Sequence, residues 1–298
     1  MDFVVSLIGT HMIWFICSVL TALFESIKDI FSKGNLKNVD EYIVSLSLTL
    51  FALPFLVPFL FFMKIPHLGN QFWTALFFGG SLNVIATILY MKAIKYSDLS
   101  ITVPMVAFTP LFLLVTSPLI VGEFPKFFGL VGIILIVAGS YILNIKEKHK
   151  GYLAPFRALL KERGSKLMLV VAFIWSITSN FDKVGVQNSS PIFWIIVIDT
   201  FITIVMAPVA FYKSQRDVKQ ISTGLMTLIP IGLFGGLTAI FQMKALTLTY
   251  VAYVISIKRT SAIMSVFFGH LIFNEKGIKE RLIGVLTMIL GVLFITLS

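Results

Sequence analysis

The sequence predicts an all-α polytopic membrane protein whose ten transmembrane helices form two inverted five-helix repeats. Three observations carry that expectation. Of the 298 residues, 57% are hydrophobic and 13% charged, with 29 Phe; a soluble domain carries roughly twice that charged share. Apolar runs of about 20 residues, the length a helix needs to cross a bilayer, recur from end to end. The second half of the chain also repeats the first in a fixed register.

In chain order, the first run spans about 11–31 and carries Glu25, Lys28 and Asp29, whose spacings of three and four share one helical face. Runs at about 41–63 and 70–95 follow, the latter holding Asn83. The fourth, about 99–121, contains Pro104 and Pro110 in TVPMVAFTPL. Proline removes a backbone donor and clashes with the preceding turn, so this helix is expected to bend. Freed carbonyls are tolerated in a bilayer only where they face protein or a wet cavity. The fifth run covers about 126–145. A basic linker, KEKHKGYLAPFRALLKERGSK (146–166), then joins the first repeat, 1–145, to the second, 167–298. There the runs fall at about 167–187, with Asp182-Lys183 near its end, and 191–212, with Asp199 in IIVIDTFI. Those at about 224–247, with Gln242, 250–273, with Lys258-Arg259, and 279–297 complete the set.

The repeat is residue-specific. A shift of 152 lays Met91-Lys92-Ala93 on Met243-Lys244-Ala245, Glu123 on Glu275, Gly132 on Gly284 and Gly139 on Gly291. A shift of 153 lays Ser26, Asp29 and Asn35 on Ser179, Asp182 and Asn188. Five helices per half means the second half enters from the opposite side, the inverted arrangement that places a binding site near the midplane. Loops and helix ends after the odd-numbered helices hold 18 of the 24 Lys and Arg. The positive-inside rule then puts the linker in the cytoplasm and both termini outside.

Other classes fall away. A transmembrane β-barrel shows alternating ten-residue segments, and none are present. No polar stretch is longer than the linker, which leaves no room for a large soluble domain. Cys17 is the single cysteine, so an internal disulfide and a cysteine metal cluster are excluded. The N-terminus, MDFVVSLIGTHMIW, lacks the basic stretch of a signal peptide and is counted with the mature protein. The net charge of +10 sits mostly in loops, so the expected partner is the lipid bilayer and not nucleic acid. No nucleophile-base set, metal-ligand spacing or nucleotide-binding glycine loop stands out, so neither an enzyme nor a cofactor is expected.

The segments from MKAIKYSDLSITVPMVAFTPL to VAGSYIL and from MKALTLTYVAYVISIKRTSAI to LGVLFI share a pattern. A small-residue helix end precedes an apolar helix, a Glu at a tight turn and a Gly-containing closing helix. This pattern resembles the EamA repeat of the drug/metabolite transporter superfamily, twice over nearly the whole chain. The resemblance implies a secondary transporter in a bacterial-type cytoplasmic membrane. It leaves the substrate open, since the superfamily moves amino acids, drugs, sugars, nucleotide sugars and phosphorylated metabolites. It also implies both termini in the cytoplasm, opposite to the charge count. Lys258-Arg259 in the ninth helix is similar to the phosphate-binding pair of the plastid triose-phosphate translocators, though the rest of the sequence is unlike that branch.

A cation at the centre of a membrane helix costs roughly 2.5–3.5 kcal/mol on insertion scales. Lys258 lies about 12 Å along its helix from Tyr250. Adjacent residues point about 100° apart, so snorkelling to one interface does not serve both cations. An aqueous cavity does, with an anionic substrate group completing the pairing; ion pairs with acids on other helices are the alternative. The repeat mates of the pair are Val106 and Ala107, so its charge is an asymmetric addition. Glu25, Lys28, Asp29, Asp182 and Lys183 read either as caps of the bundle or as a gate between the halves. Asp199 is a candidate proton carrier, or a partner for a cation from another helix. Asn83 and Gln242 are candidates for hydrogen bonds to substrate or between helices.

The function expected is alternating-access transport of a small anionic metabolite, phosphorylated or carboxylated, around a cavity between the repeats, with exchange or proton coupling open. The rivals are an exporter of amino acids or amphipathic compounds and a non-transporting scaffold or sensor.

Overall fold

The computed structural model describes residues 2–96, 105–143, 163–214, 224–264 and 278–298. Among them every regular element is helical. Helix α1 (Asp2–Asn35) is followed by α2 (Glu41–Phe61), α3 (Phe72–Tyr96), α4 (Thr109–Ile120) and α5 (Phe127–Leu143). Helices α6 (Arg163–Gln187), α7 (Pro191–Lys213), α8 (Leu225–Leu246), α9 (Val251–Lys258) and α10 (Ile278–Thr296) make up the rest. Pro104, residues 144–162 of the expected fifth helix and linker, and 265–273 of the expected ninth helix lie outside the described residues.

Helices α2, α3, α6, α7 and most of α8 are each long and apolar enough to cross a bilayer. Large apolar side chains point outward, with Leu119 80% and Met226 91% exposed. Such a surface is a liability in water and ordinary in lipid. Helix α1 has 34 residues, about 50 Å at 1.5 Å per residue, longer than the roughly 30 Å hydrocarbon core. It runs past the expected end at residue 31 because its polar residues find partners on neighbouring helices. Asn35 donates to Thr227 O and Phe31 O, both at 2.9 Å.

Several boundaries follow local chemistry. The Asp40 side chain accepts from the Tyr42 N–H at 2.9 Å and caps α2. That helix is α-helical over Glu41–Leu50 and Leu53–Leu56, then closes in a 3-10 turn, Val57–Phe61, that contains Pro58. A π turn, Ala75–Gly79, opens α3. A Cβ at Gly80 would strike the Phe201 ring, and glycine there lets α3 approach α7.

The chain is interrupted just before the fourth helix. Met105 and Val106 are helical, Ala107 and Phe108 form a turn, and α4 starts at Thr109. Pro110 lies in the first turn after the break, where its missing N–H costs no helical bond. The expected continuous ninth helix is also interrupted. It ends at Lys258, turns at Arg259-Thr260 and is helical again over 261–264. At a shift of 152 the two breaks coincide residue for residue, yet the second contains no proline. There the chain tightens into three-residue hydrogen bonds, Thr260 N–H to Ile257 O at 2.9 Å and Ile263 N–H to Thr260 O at 2.9 Å.

One end of the bundle is closed by polar contacts. Glu123, in the α4–α5 connection, pairs with Lys183 of α6 and accepts from the Val251 N–H at the start of α9 at 3.0 Å. Lys183 also donates to Thr249 O at 2.8 Å, and Gly69 N–H to Asn188 O at 2.9 Å. On the flank, α5 packs on α10 so closely that a Cβ at Gly132 would meet Gly291 O, and one at Gly139 would meet Gly284 O.

Candidate functional site

A cavity of about 170 Å³ lies between helices of both halves of the chain. Glu25 and Lys28 of α1, Thr49 of α2, and Asn83 and Thr87 of α3 line it from the first half. Trp175, Thr178, Ser179 and Asp182 of α6, Asp199 of α7, Thr238 and Gln242 of α8, and Lys258 with Arg259 line it from the second. Aliphatic side chains such as Leu48, Ile195, Ile198 and Ile202 fill the remaining wall. Six residues singled out as intramembrane charges therefore share one space, together with Asn83 and Gln242.

The two adjacent cations have different partners. Lys258 Nζ donates to Gln242 Oε1 at 2.8 Å and lies 3.5 Å from Glu25 Oε2. Lys28 Nζ lies 3.0 Å from the same Glu25 oxygen and 3.2 Å from Asp29 Oδ1. Tyr90 donates its hydroxyl proton to Asp29 Oδ1 at 2.6 Å. Positive and negative groups thus alternate from Lys258 through Glu25 and Lys28 to Asp29. Glu25, Lys28 and Asp29 are at most 8% exposed, so they are packed into the bundle and do not cap its surface.

Arg259 is 5% exposed and forms no ion pair among the described residues. Its Nη2 donates to Thr109 Oγ1 at 3.1 Å, and its guanidinium carbon lies 5.3 Å from the centre of the Trp175 ring. Among the described residues its Nε has no hydrogen-bond partner. The fork geometry of a guanidinium suits carboxylate or phosphate. A smaller space of about 20 Å³ beside it, bounded by Glu25, Asp29, Tyr90 and Ala107, reaches the break before α4.

Asp182 accepts from Trp194 Nε1 at 3.1 Å. Neither Asp182 nor Asp199 forms an ion pair among the described residues. Both face the cavity from α6 and α7, so its lining holds these acids as well as Lys258 and Arg259. Asp182 and Lys183 part company: Asp182 faces the cavity, while Lys183 joins Glu123 at the closed end. Pro110 lies beside the cavity only through its neighbour Thr109.

Tyr90, Trp175, Thr109 and Thr49 are site residues that the sequence reading passed over. Thr49 accepts from Thr203 at 2.8 Å between α2 and α7. Their signal was weak because each is a single polar-tipped or hydroxyl side chain in a run rich in Phe and β-branched residues. Among the described residues no group of three or more His, Cys, Asp or Glu is placed to hold a metal ion.

The EamA-like transporter family matches the chain twice, over residues 12–145 and 162–297. Among curated proteins none matches. A crystal structure of a protein 14% identical to the chain superposes with a TM-score of 0.71, over 95% of this chain and 96% of its own. That likeness establishes a shared fold. The family model accounts for both halves, and the apolar helices place the chain in a membrane: the chain belongs to the EamA-like transporter family and is an integral membrane transporter.

Proposed function

We propose that the chain is a secondary transporter whose ten helices form inverted repeats, 1–145 and 167–298, that alternate access around the central cavity. The solute carries a carboxylate or phosphate that docks at Arg259 and draws on Lys258. The observation that supports this best is Arg259 itself, buried in the cavity wall with, among the described residues, an N–H unused and no carboxylate paired to it. Asn83 and Gln242 supply hydrogen bonds to the rest of the solute. The paired breaks beside α4 and α9 lie next to the site, as broken helices do in other transporter folds. The basic linker faces the cytoplasm.

A second reading draws support from Asp182 and Asp199. With acids on one wall and Arg259 on another, a solute bearing both an ammonium and an acid group, such as an amino acid, is complementary to both poles.

Thermal stabilisation of the purified protein by phosphate esters, dicarboxylates, amino acids and organic cations tests both. A ligand that binds only the folded state raises the melting temperature with its concentration over its Kd. Stabilisation by simple anions, lost in Lys258→Ala/Arg259→Ala, supports the first reading. Stabilisation by amino acids alone, lost in the same variant and in Asp182→Asn/Asp199→Asn, supports the second. Stabilisation by cations alone, unchanged in Lys258→Ala/Arg259→Ala, removes both.

A further inference from the structure

Glu25 touches two cations through one oxygen, and the two contacts are unequal. Its Oε2 lies 3.0 Å from Lys28 and 3.5 Å from Lys258. Lys28 has a second carboxylate in Asp29 at 3.2 Å. Among the described residues no other carboxylate lies within 4 Å of Lys258, and its other contact is the neutral Gln242 oxygen. Glu25 therefore keeps a cation whether or not it holds Lys258, whereas Lys258 without Glu25 is left unpaired. The pair also spans the two halves, since Glu25 belongs to α1 and Lys258 to α9.

A carrier that reverses access expels water from its cavity on the way. Stripping water from an unpaired buried charge costs far more than stripping it from a paired one. Arg259 is already out of water, over Trp175 and bonded to Thr109, so closure strips little from it. Lys258 is more exposed, and an empty cavity holding it without a counter-charge would resist closure, so the carrier would reverse only when loaded.

Resting on the reading of Lys258 and Arg259 as an acid-binding pair, we infer that Glu25 is a built-in counter-anion. It neutralises Lys258 while the site is empty and cedes it to the solute's acid group on binding, retaining Lys28 for itself. The empty carrier can then reverse access, so that solute moves in net and not only by exchange. Asp182 and Asp199 face the same space, but neither is paired with Lys258.

The test needs no solute. In a Cys17→Ser background, Thr87→Cys places a reporter on the cavity wall. Its reaction with a membrane-impermeant maleimide is followed in right-side-out and inside-out vesicles. The empty carrier with Glu25 intact is expected to label from both faces, and Glu25→Asp likewise. Glu25→Gln is expected to label from one face, with the other slowed about tenfold or more. Glu25→Gln/Lys258→Gln is expected to recover both, because the unpaired charge is gone. Two-sided labelling of Glu25→Gln at unchanged rates overturns the inference. So does loss from both faces, failure of the double variant to recover, or one-sided labelling of the parent. Anion binding plays no part in these rates, so failure of the acid-binding reading appears separately in the ligand panel.

Discussion

Arg259 donates to the Thr109 hydroxyl at 3.1 Å, and each residue stands at the break in its own half of the chain. The repeat mate of Arg259 is Ala107, and that of Thr109 is Ser261. The link therefore has no symmetric copy: one half contributes the cation and the other a neutral hydroxyl. On the proposed acid-binding reading, an anion at Arg259 would act on a contact that joins the two breaks, and occupancy of the site would be tied to the relation between the halves.

Arg259→Lys keeps the charge but loses the planar fork that reaches Thr109 and lies over Trp175. Anion affinity is expected to fall about tenfold or more, because Arg and Lys are not interchangeable at a stacked, forked site. Lys258→Gln is expected to weaken binding by only about threefold, since the lysine it removes was shared with Glu25. Calorimetric titration with the ligand identified by the stabilisation panel measures both.

Glu123→Gln leaves Lys183, with a side chain 7% exposed, without its carboxylate. Breaking a buried pair by removing one partner is strongly destabilising; allowing for the partial exposure of Glu123, the loss is expected to be about 2 kcal/mol. A lowered melting temperature in detergent is the readout. Lys183→Met/Glu123→Leu, which removes both charges, should recover part of it.

Gly132→Val introduces a side chain where even a Cβ would collide with Gly291 O and Ile295. Overpacking there is expected to cost about 1–3 kcal/mol or more and to broaden the size-exclusion profile. Gly34→Ala is the contrasting case, with nothing within 4 Å of the added carbon. It is expected to leave folding intact or raise stability by about 0.5–1 kcal/mol.

Asp199→Asn tests coupling. If this carboxylate carries the proton, uptake driven by a pH gradient in proteoliposomes is expected to fall to the level without a gradient, with ligand stabilisation unchanged. Equal loss of binding in the variant would place Asp199 in solute recognition instead.

The helical, membrane-spanning character of the chain was legible because composition and run length report it directly. The 152-residue register was legible as well, and it turns out to align the two helix breaks as well as the glycines. The break at Arg259-Thr260 was not, since no proline marks it and its cause is three-residue hydrogen bonding within a folded bundle. The separate fates of Lys258 and Arg259 were hidden for a different reason. Adjacent residues face different neighbours, and which acid meets which cation is set by helix packing across more than 200 residues of sequence. Glu25 could be named as a charged residue, but its bond to Lys258 belongs to tertiary structure.

The close approach of α5 and α10 has a mechanical meaning. Each backbone lies where the other leaves no room even for a methyl group, and the helices come from opposite halves of the chain. Sliding along that seam would drive glycine carbonyls into side chains of the facing helix. Rotation about it moves them far less. On the alternating-access reading the seam would serve as an axle: the halves would swing around it while its own residues hardly travel.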